Sequence, residues 1–203
     1  MSAHPLLTHI ARYATLPPED EARLLAIARE VRVRRRQFLT QPGAVCRHRS
    51  YILEGAFRVF HVDKDGKEHT VKIGVEDWWV SDFYSYVTRE PSTHYVEALE
   101  DGRVLQFAYE DIEGLCAESH ALSEYFRKTT ERAFAYARRR VVTTIRDTAE
   151  GRYEAYLRKY PEIAARVPQY VLASYLGMTP EFLSRIRRRR SAPDRETGYA
   201  YGR

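Results

Sequence analysis

The chain has 203 residues, of which 44% are hydrophobic and 30% charged, and its formal net charge is +5. This length suits one large domain or two small ones, and no apolar run approaches the roughly 18 residues of a membrane-spanning helix. With no apparent secretory signal, the sequence predicts a cytoplasmic protein without a membrane partner. The cysteines, Cys46 and Cys116, are too few for a disulfide framework or a thiolate metal site.

The positive charge is concentrated in the second part of the chain. Residues 1–120 hold 15 Lys and Arg against 19 Asp and Glu, whereas residues 121–203 hold 18 against 9. Because contacts of arginine and lysine with phosphates dominate nucleic-acid affinity, the second part is expected to bind a polyanion. A solvated helical face is the alternative that the charge count leaves open.

The motifs of common enzyme classes do not occur. The seven histidines form neither an HxH pair nor HExxH, and the sequence contains no GxGxxG, P-loop or GxSxG motif. The sequence therefore predicts a protein that is not an enzyme, with no catalytic residue, no metal ligand and no cofactor. A metal-dependent enzyme on a related barrel is the alternative, and it would need clustered His and Glu ligands.

Residues 1–115 are expected to form one domain, in which a short helix is followed by an antiparallel β-barrel. Residues 16–31 begin with prolines and acidic residues and place apolar residues at helical spacing, which predicts a short amphipathic helix. Six strand-like runs follow, separated by Gly turns, at residues 38–39, 51–53, 57–62, 69–73, 95–99 and 104–109. Asp65-Gly66 favours a tight hairpin. Short strands at this spacing are typical of a sandwich or barrel.

A long helix is predicted where the glycines stop. Residues 121–147 contain neither Gly nor Pro, and spacings of four and three residues alternate along them, as in the seam of two packed helices. Residues 116–147 are therefore expected to form the dimerisation helix of a homodimer. The expected seam residues are Leu122, Phe126, Thr129, Ala133 and Tyr136. Arg140 interrupts the seam, so packing of this face on the protein's own barrel remains an alternative.

Residues 148–203 carry the strongest local signal and are expected to form a DNA-binding domain. Gly177 is expected to end one helix in a left-handed turn, Thr179 to cap the next helix, and Leu183 and Ile186 to return to the core. This spacing predicts a helix-turn-helix. An ordinary helical hairpin with a basic surface is the alternative.

The residues on the outward side of this unit are the expected contacts with DNA. They are Gln169, Thr179, Glu181, Phe182, Ser184, Arg185, Arg187, Arg188 and Arg189. Arg185 can contact guanine through two hydrogen bonds, Glu181 can accept from a cytosine amino group, and the arginine run can reach phosphates. Residues 191–203 show no alternating strand pair, so no β-hairpin wing is expected after the second helix.

The order of elements resembles the CRP/FNR regulators, the superfamily of the cyclic-AMP receptor protein and the fumarate-nitrate regulator. Residues 51–59 look like a strand pair of that family, and Gly177 with Glu181, Ser184 and Arg185 looks like its recognition-helix pattern. The resemblance covers residues 16–190. It implies an α+β fold with a cyclic-nucleotide-binding-like jelly roll, a dimer helix and a C-terminal helix-turn-helix. It also implies a homodimer that regulates transcription from pseudo-palindromic double-stranded DNA, with RNA polymerase as a further candidate partner.

The chain departs from this family where a cyclic nucleotide would bind. The position of the phosphate-binding arginine falls near Ser92, and the ribose-binding Gly-Glu pair falls within residues 79–82. Because a buried phosphate would lie unpaired, cyclic nucleotide is not expected as a cofactor, and Arg89 could substitute only if the loop refolds.

The four cysteines of an iron–sulfur cluster are missing too, and no histidine stands out as a haem ligand, so the sequence identifies no effector. The residues that would line an effector pocket are Trp79, Ser81, Asp82, Tyr84, Ser92 and Thr93. Barrel core is the alternative role for the aromatic residues of this region. The effector can be a small hydrophobic or anionic molecule, and the absence of any effector is an alternative. A further alternative is a sensing barrel that signals through protein contacts instead of DNA.

Overall fold

The computed structural model describes residues 4–191 as an eight-stranded β region followed by helices. The first elements are α1 (Pro5–Ile10), α2 (Pro18–Ala26), β1 (Arg29–Val33), β2 (Phe38–Thr40), β3 (His48–Glu54), β4 (Phe57–Val62), β5 (Glu68–Gly74), β6 (Trp79–Val80), α3 (Phe83–Thr88), β7 (Tyr95–Ala98) and β8 (Gly102–Ala108). The remaining elements are α4 (Tyr109–Glu118), α5 (His120–Arg146), α6 (Ala149–Lys159), α7 (Pro161–Arg166), α8 (Gln169–Leu176) and α9 (Pro180–Ser191).

The strands form two four-stranded sheets with the orders β1-β8-β3-β6 and β2-β7-β4-β5, and every pairing is antiparallel. An apolar core lies between the sheets, and Ile52, Phe57 and Val104 are fully buried in it. This strand order is that of a double-sheet jelly roll. The predicted antiparallel barrel is therefore confirmed.

A second layer of helices covers the outer face of the sheet that contains β3. Side chains of α1, α2, α4 and the start of α5 pack there against Tyr51 and Phe107. The Tyr125 hydroxyl of α5 accepts a hydrogen bond from Trp79 Nε1 at 2.8 Å and lies 2.9 Å from His9 Nδ1. The first turns of α5 are thus part of the protein's own core.

One prediction for the beginning of the chain was wrong, and one helix was not predicted. The helix predicted over residues 16–31 ends at Ala26, and β1 begins at Arg29, where Val31 pairs with Val104 of β8. The apolar residues 27 and 31 are four apart, as in a helix, whereas 27, 31 and 33 also fall on alternate positions, as in a strand. Pairing with β8 therefore decides the structure. Helix α1, for which the sequence gives no clear pattern, buries Leu6 and Ile10.

Replacement of Gly102 by alanine is expected to destabilise the protein by roughly 1–3 kcal/mol. A Cβ at this position would lie 2.3 Å from the carbonyl oxygen of Glu54, and β8 cannot retreat because it pairs with β1 on one side and β3 on the other. Urea unfolding measures the change in free energy. Gly114→Ala on α4 is the control, because its Cβ meets nothing within 4 Å. Equal stability of the two variants would contradict the expected clash.

Candidate nucleic-acid interface

Helices α8 and α9 meet at a tight turn made by residues 177–179. Gly177 caps α8 with φ 70° and ψ 40°, the left-handed conformation that glycine adopts without strain. The Thr179 hydroxyl accepts a hydrogen bond of 3.2 Å from the Phe182 amide at the start of α9. Pro180 occupies the first turn, where a missing amide hydrogen costs nothing. The sequence predicts this turn and this cap in the same places.

One face of α9 is buried against the helices before it. Leu183 is fully buried and Ile186 is 4% exposed. They share one apolar cluster with Leu172 and Leu176 of α8 and with Tyr153 of α6. The direction of the remaining α9 side chains follows from this packing.

The opposite face of α9 is polar and mostly basic. Its exposed residues are Thr179, Glu181, Arg185, Arg187, Arg188 and Arg189, and Phe182 and Ser184 are half-buried beside them. The Arg185 guanidinium carbon lies 5.2 Å from the centre of the Phe182 ring. Hydrogen bonds from its own amide and from Thr179 lower the pKa of Glu181, so its carboxylate is ionised near neutral pH and can accept hydrogen bonds. Gln169 is exposed at the start of α8.

The helical part is fastened to the jelly roll along β5, an edge strand. The Ser174 hydroxyl of α8 accepts a hydrogen bond of 2.8 Å from the Thr70 amide and donates one of 2.9 Å to the Glu68 carbonyl. Arg140 of α5 donates to the carbonyls of Thr70, Val71 and Tyr175. These bonds satisfy backbone groups of an edge strand that would otherwise be open, and they fix α8 on the barrel.

An ion-pair network adds to this attachment. Arg166 of α7 lies 2.7 Å from Glu76 and 2.6 Å from Glu100, and both carboxylates belong to loops of the jelly roll. The planar guanidinium donates to both oxygens of each carboxylate, a geometry that arginine can satisfy and lysine cannot.

The first part of the dimer seam predicted on α5 faces the protein's own chain. Leu122 and Phe126 are buried in the core beneath the helices, which removes them from any interface with a partner. The Tyr136 ring lies 4.3 Å from Lys159 Nζ of α6, and Arg140 contacts β5 and α8. Thr129 is half-buried and Ala133 exposed along the same side. The periodicity reports an apolar face correctly, but the part of this face at Leu122 and Phe126 packs on this chain.

A different stripe of α5 is apolar and exposed. Phe134 is 64%, Val141 61%, Val142 52% and Ile145 83% exposed. Phe134, Arg138, Val141 and Ile145 follow spacings of four, three and four residues, the same pattern as the predicted seam but on another face. The sequence therefore carries a signal for this stripe, and the predicted seam does not include it.

The six residues predicted to line an effector pocket do not come together as one site. Trp79 is buried beside Tyr51 and Phe126, on the outer side of the sheet. Tyr84 is 64% exposed, and Thr93 is exposed. Trp79, Tyr84 and Thr93 are therefore not pocket residues, because a pocket between the sheets is out of their reach.

Asp82 and Ser92 do lie together, in a compact hydrogen-bonded corner. The Ser92 hydroxyl donates to Asp82 Oδ2 at 2.6 Å, and His94 Nδ1 lies 3.5 Å from the same oxygen. Burial opposes ionisation of Asp82, but the hydrogen bonds from His94 and Ser92 prevail and lower its pKa. The corner thus holds a carboxylate at neutral pH.

A cavity of about 450 Å³ lies between the two sheets, beside the loop between β2 and β3. Its lining includes Ser81, the one predicted pocket residue found there. The other lining residues are Phe38, Leu39, Thr40, Gln41, Ala44, Val45, Cys46, Arg47, His48, Ser50, Val80, Val96 and Gln106. Ser50 is 2% exposed. Part of this lining lies in loops, and the rest belongs to strands whose inward side cannot be assigned from the sequence before the register is known.

Two negative observations apply to residues 4–191. They bring together no three His, Cys, Asp or Glu side chains in an arrangement that suits a metal ion. None of their helices has the length and hydropathy of a membrane span. The prediction that no wing follows α9 falls on residues 191–203, which lie outside this part except for Ser191 at the end of α9.

Comparison with known proteins supports the architecture. Residues 30–119 match the family of the cyclic nucleotide-binding domain. No curated protein matches the chain.

The solved structures of several regulators have the same fold. CLP, a c-di-GMP-responsive global regulator of Xanthomonas campestris, is 13% identical, with a TM-score of 0.71 over 86% of this chain and 92% of that one. FixK2 from Bradyrhizobium japonicum is 18% identical, with a TM-score of 0.67 over 80% and 84%. A transcriptional regulator of the CRP/FNR family from Eubacterium rectale is 15% identical, with a TM-score of 0.67 over 87% and 84%. The resemblance to CRP/FNR regulators is confirmed at the level of the fold.

Proposed function

We propose that this chain is a homodimeric transcription regulator of the CRP/FNR type, and not an enzyme, which binds specific double-stranded DNA in the cytoplasm through α9. The observation that carries this proposal is the division of α9 into two faces. Leu183 and Ile186 anchor one face, while Glu181, Arg185 and Arg188 project from the other. A helix held in this way can enter the major groove with base-reading and phosphate-binding groups in front.

Helices α8 and α9 serve as a helix-turn-helix in this proposal. Arg185 and Glu181 are one turn apart on the exposed face and read base edges, whereas Arg188 and Arg189 contact phosphates. A dimer would present two copies of α9, so the site is pseudo-palindromic, with half-sites roughly 34 Å apart. RNA polymerase is the further partner that a regulator of this type would contact.

The exposed stripe of α5 is the proposed dimer interface. Phe134, Val141 and Ile145 repeat at the spacing of a two-stranded coiled coil, and Arg138 takes a polar core position that fixes the register at a cost in stability. An apolar stripe with side chains this exposed is rare on a monomer surface.

We also propose that cyclic nucleotide is not the effector. Ser92 stands where the resemblance places the phosphate-binding arginine, and it donates its hydrogen bond to Asp82. The ionised carboxylate of Asp82 would repel a cyclic phosphate at this corner. The cavity beside Ser50 and Ser81 is the alternative effector site.

A gel shift with genomic fragments separates DNA binding from a sensing barrel that signals only through protein contacts. Arg185→Ala is expected to cost on the order of 1–3 kcal/mol of binding free energy and to relax the preference at one base position. Arg188→Ala is expected to weaken binding to all DNA sequences alike. It is also expected to lower the slope of log affinity against log salt concentration by about one. An unchanged sequence preference for Arg185→Ala would remove that residue from base reading.

A further inference from the structure

The cavity between the two sheets has a polar strip on one wall. Ser50 of β3 pairs with Gln106 of β8 and with Val80 of β6, so the three side chains share one face of their sheet. Ile52, two residues further along β3, lies in the apolar core between the sheets, which makes this face the inward one. Ser50, Gln106 and Val80 all line the cavity. A hydroxyl and a carboxamide therefore lie side by side on its inner wall.

These two polar groups have no hydrogen-bond partner within residues 4–191. Ser50 is 2% exposed, and its hydroxyl bonds to no other side chain or backbone group in that range. The unpartnered hydroxyls of Thr70 and Tyr86 are fully enclosed, whereas that of Ser50 is not, so its remaining surface faces the cavity. The carboxamide of the half-buried Gln106 is equally unbonded in the described part of the chain. Because buried polar groups are nearly always paired, both groups are available to a molecule in the cavity.

The opposite side of the cavity is apolar and held in place. Leu39 of β2, Val96 of β7 and Val45 of the β2–β3 loop face the polar strip. A β-bridge between Val45 and Pro91 fixes that loop. Gln41 of the same loop lines the cavity and is exposed, so solvent reaches the cavity past this loop. A volume of about 450 Å³, an apolar lining and a few polar groups are typical of a preformed site for a small molecule.

The lining carries almost no charge. Of the lining residues only Arg47 is permanently charged, and its side chain is exposed to water. Burial, and then the Arg29 guanidinium, lower the pKa of His48, so this ring is neutral near neutral pH. Burial raises the pKa of the Cys46 thiol, which stays protonated. An ionised ligand group beside Ser50 would lose its hydration without gaining a counter-ion, which is costly.

We infer that this cavity binds a small uncharged molecule with an apolar body and an amide or other carbonyl head, and that Ser50 and Gln106 hold the head. A hydroxyl can donate a hydrogen bond, and a carboxamide both donates and accepts, so the pair matches an amide group. The apolar body lies against Leu39, Val45 and Val96. As an effector site the cavity rests on the proposed regulatory function, whereas ligand binding itself can be measured without DNA.

The test is calorimetric titration of the full chain with hexanamide, hexanoate and hexylammonium, three probes that differ in charge and share an apolar chain. We expect hexanamide to bind roughly tenfold more tightly than either ion, or better. In the series butanamide, hexanamide and octanamide, each added methylene is expected to raise the affinity about fourfold. Methyl NMR locates the probe, because signals of Leu39, Val80 and Val96 should shift while that of Val171, in the α8 cluster, should not.

Two variants test the contacts with the head group. Ser50→Ala and Gln106→Leu each keep most of the side-chain volume and are expected to weaken hexanamide binding about fivefold, the effect of one lost hydrogen bond. Neither variant should lower Tm in the absence of a probe, because neither group has a partner to lose. Ser123→Ala on the exposed side of α5 is the control and is expected to bind hexanamide like the wild type.

Three results would overturn the inference. Hexanoate or hexylammonium that binds as tightly as hexanamide would contradict an uncharged ligand. No binding of any amide would mean that water alone satisfies the two polar groups. Equal binding by the wild type and both variants would remove Ser50 and Gln106 from the site. None of these results bears on DNA binding, and a negative gel shift would leave the ligand site in place.

Discussion

Replacement of both Phe134 and Val141 by aspartate is expected to make the protein monomeric and to lower its affinity for a pseudo-palindromic site at least 100-fold. These side chains are 64% and 61% exposed, so the monomer tolerates the change. In the proposed dimer they lie in a dry interface, where four unpaired carboxylates would weaken association by on the order of 1000-fold. The loss of DNA affinity follows because a single protomer holds only one half-site.

Sedimentation equilibrium and a gel shift measure these two effects. Tyr136→Asp is the matched control, because this residue lies on the other side of α5 beside Lys159, to which an aspartate can pair. It is expected to remain dimeric and to bind DNA normally. A double variant that stays dimeric, or a Tyr136→Asp protein that is monomeric, would contradict this interface and favour the face of α5 that contains Tyr136.

Leu183→Ala is expected to cost about 2–5 kcal/mol of unfolding free energy and to release α9 from α8. Leu183 is fully buried, and its contacts belong to the cluster that sets the direction of the exposed arginines. DNA binding should therefore be lost at temperatures at which the jelly roll is still folded. Hydrogen exchange resolves the two parts, because amides of α8 and α9 should lose protection while those of β3 and β8 keep it.

Arg188→Ala on the same helix is the control for stability. Its side chain is exposed, so a change within about 0.5 kcal/mol is expected. A cost below about 1 kcal/mol for Leu183→Ala would contradict a well-packed α8–α9 unit. Truncation of a buried leucine in a packed core costs about 2 kcal/mol even where the cavity largely collapses.

Features set by local backbone chemistry could be predicted from the sequence. Gly66 has φ +79° in the β4–β5 hairpin, and Asp63 accepts hydrogen bonds from the amides of Asp65 and Lys67 within the turn. Gly177 and Thr179 likewise end one helix and begin the next. Each depends on a few neighbouring residues, so no knowledge of the distant chain is needed.

Features set by contacts between distant segments could not be predicted in this way. Periodicity marks Leu122 and Phe126 as one apolar face, but the partner of that face is the chain's own sheet, which no local pattern identifies. Val31 fits a helix by spacing and becomes a strand residue because β8 lies beside it. The burial of Arg49 on β3 left no sequence signal, since a lone arginine in a strand is ordinarily a surface residue.

Footprinting of the full-length protein on genomic DNA at about 150 mM salt is the most direct test of the proposed role of α9. We expect protected sites with two inverted half-sites roughly 34 Å apart, and an altered pattern for Arg185→Ala. Protection of no site at any protein concentration, or an identical pattern for Arg185→Ala, would contradict it.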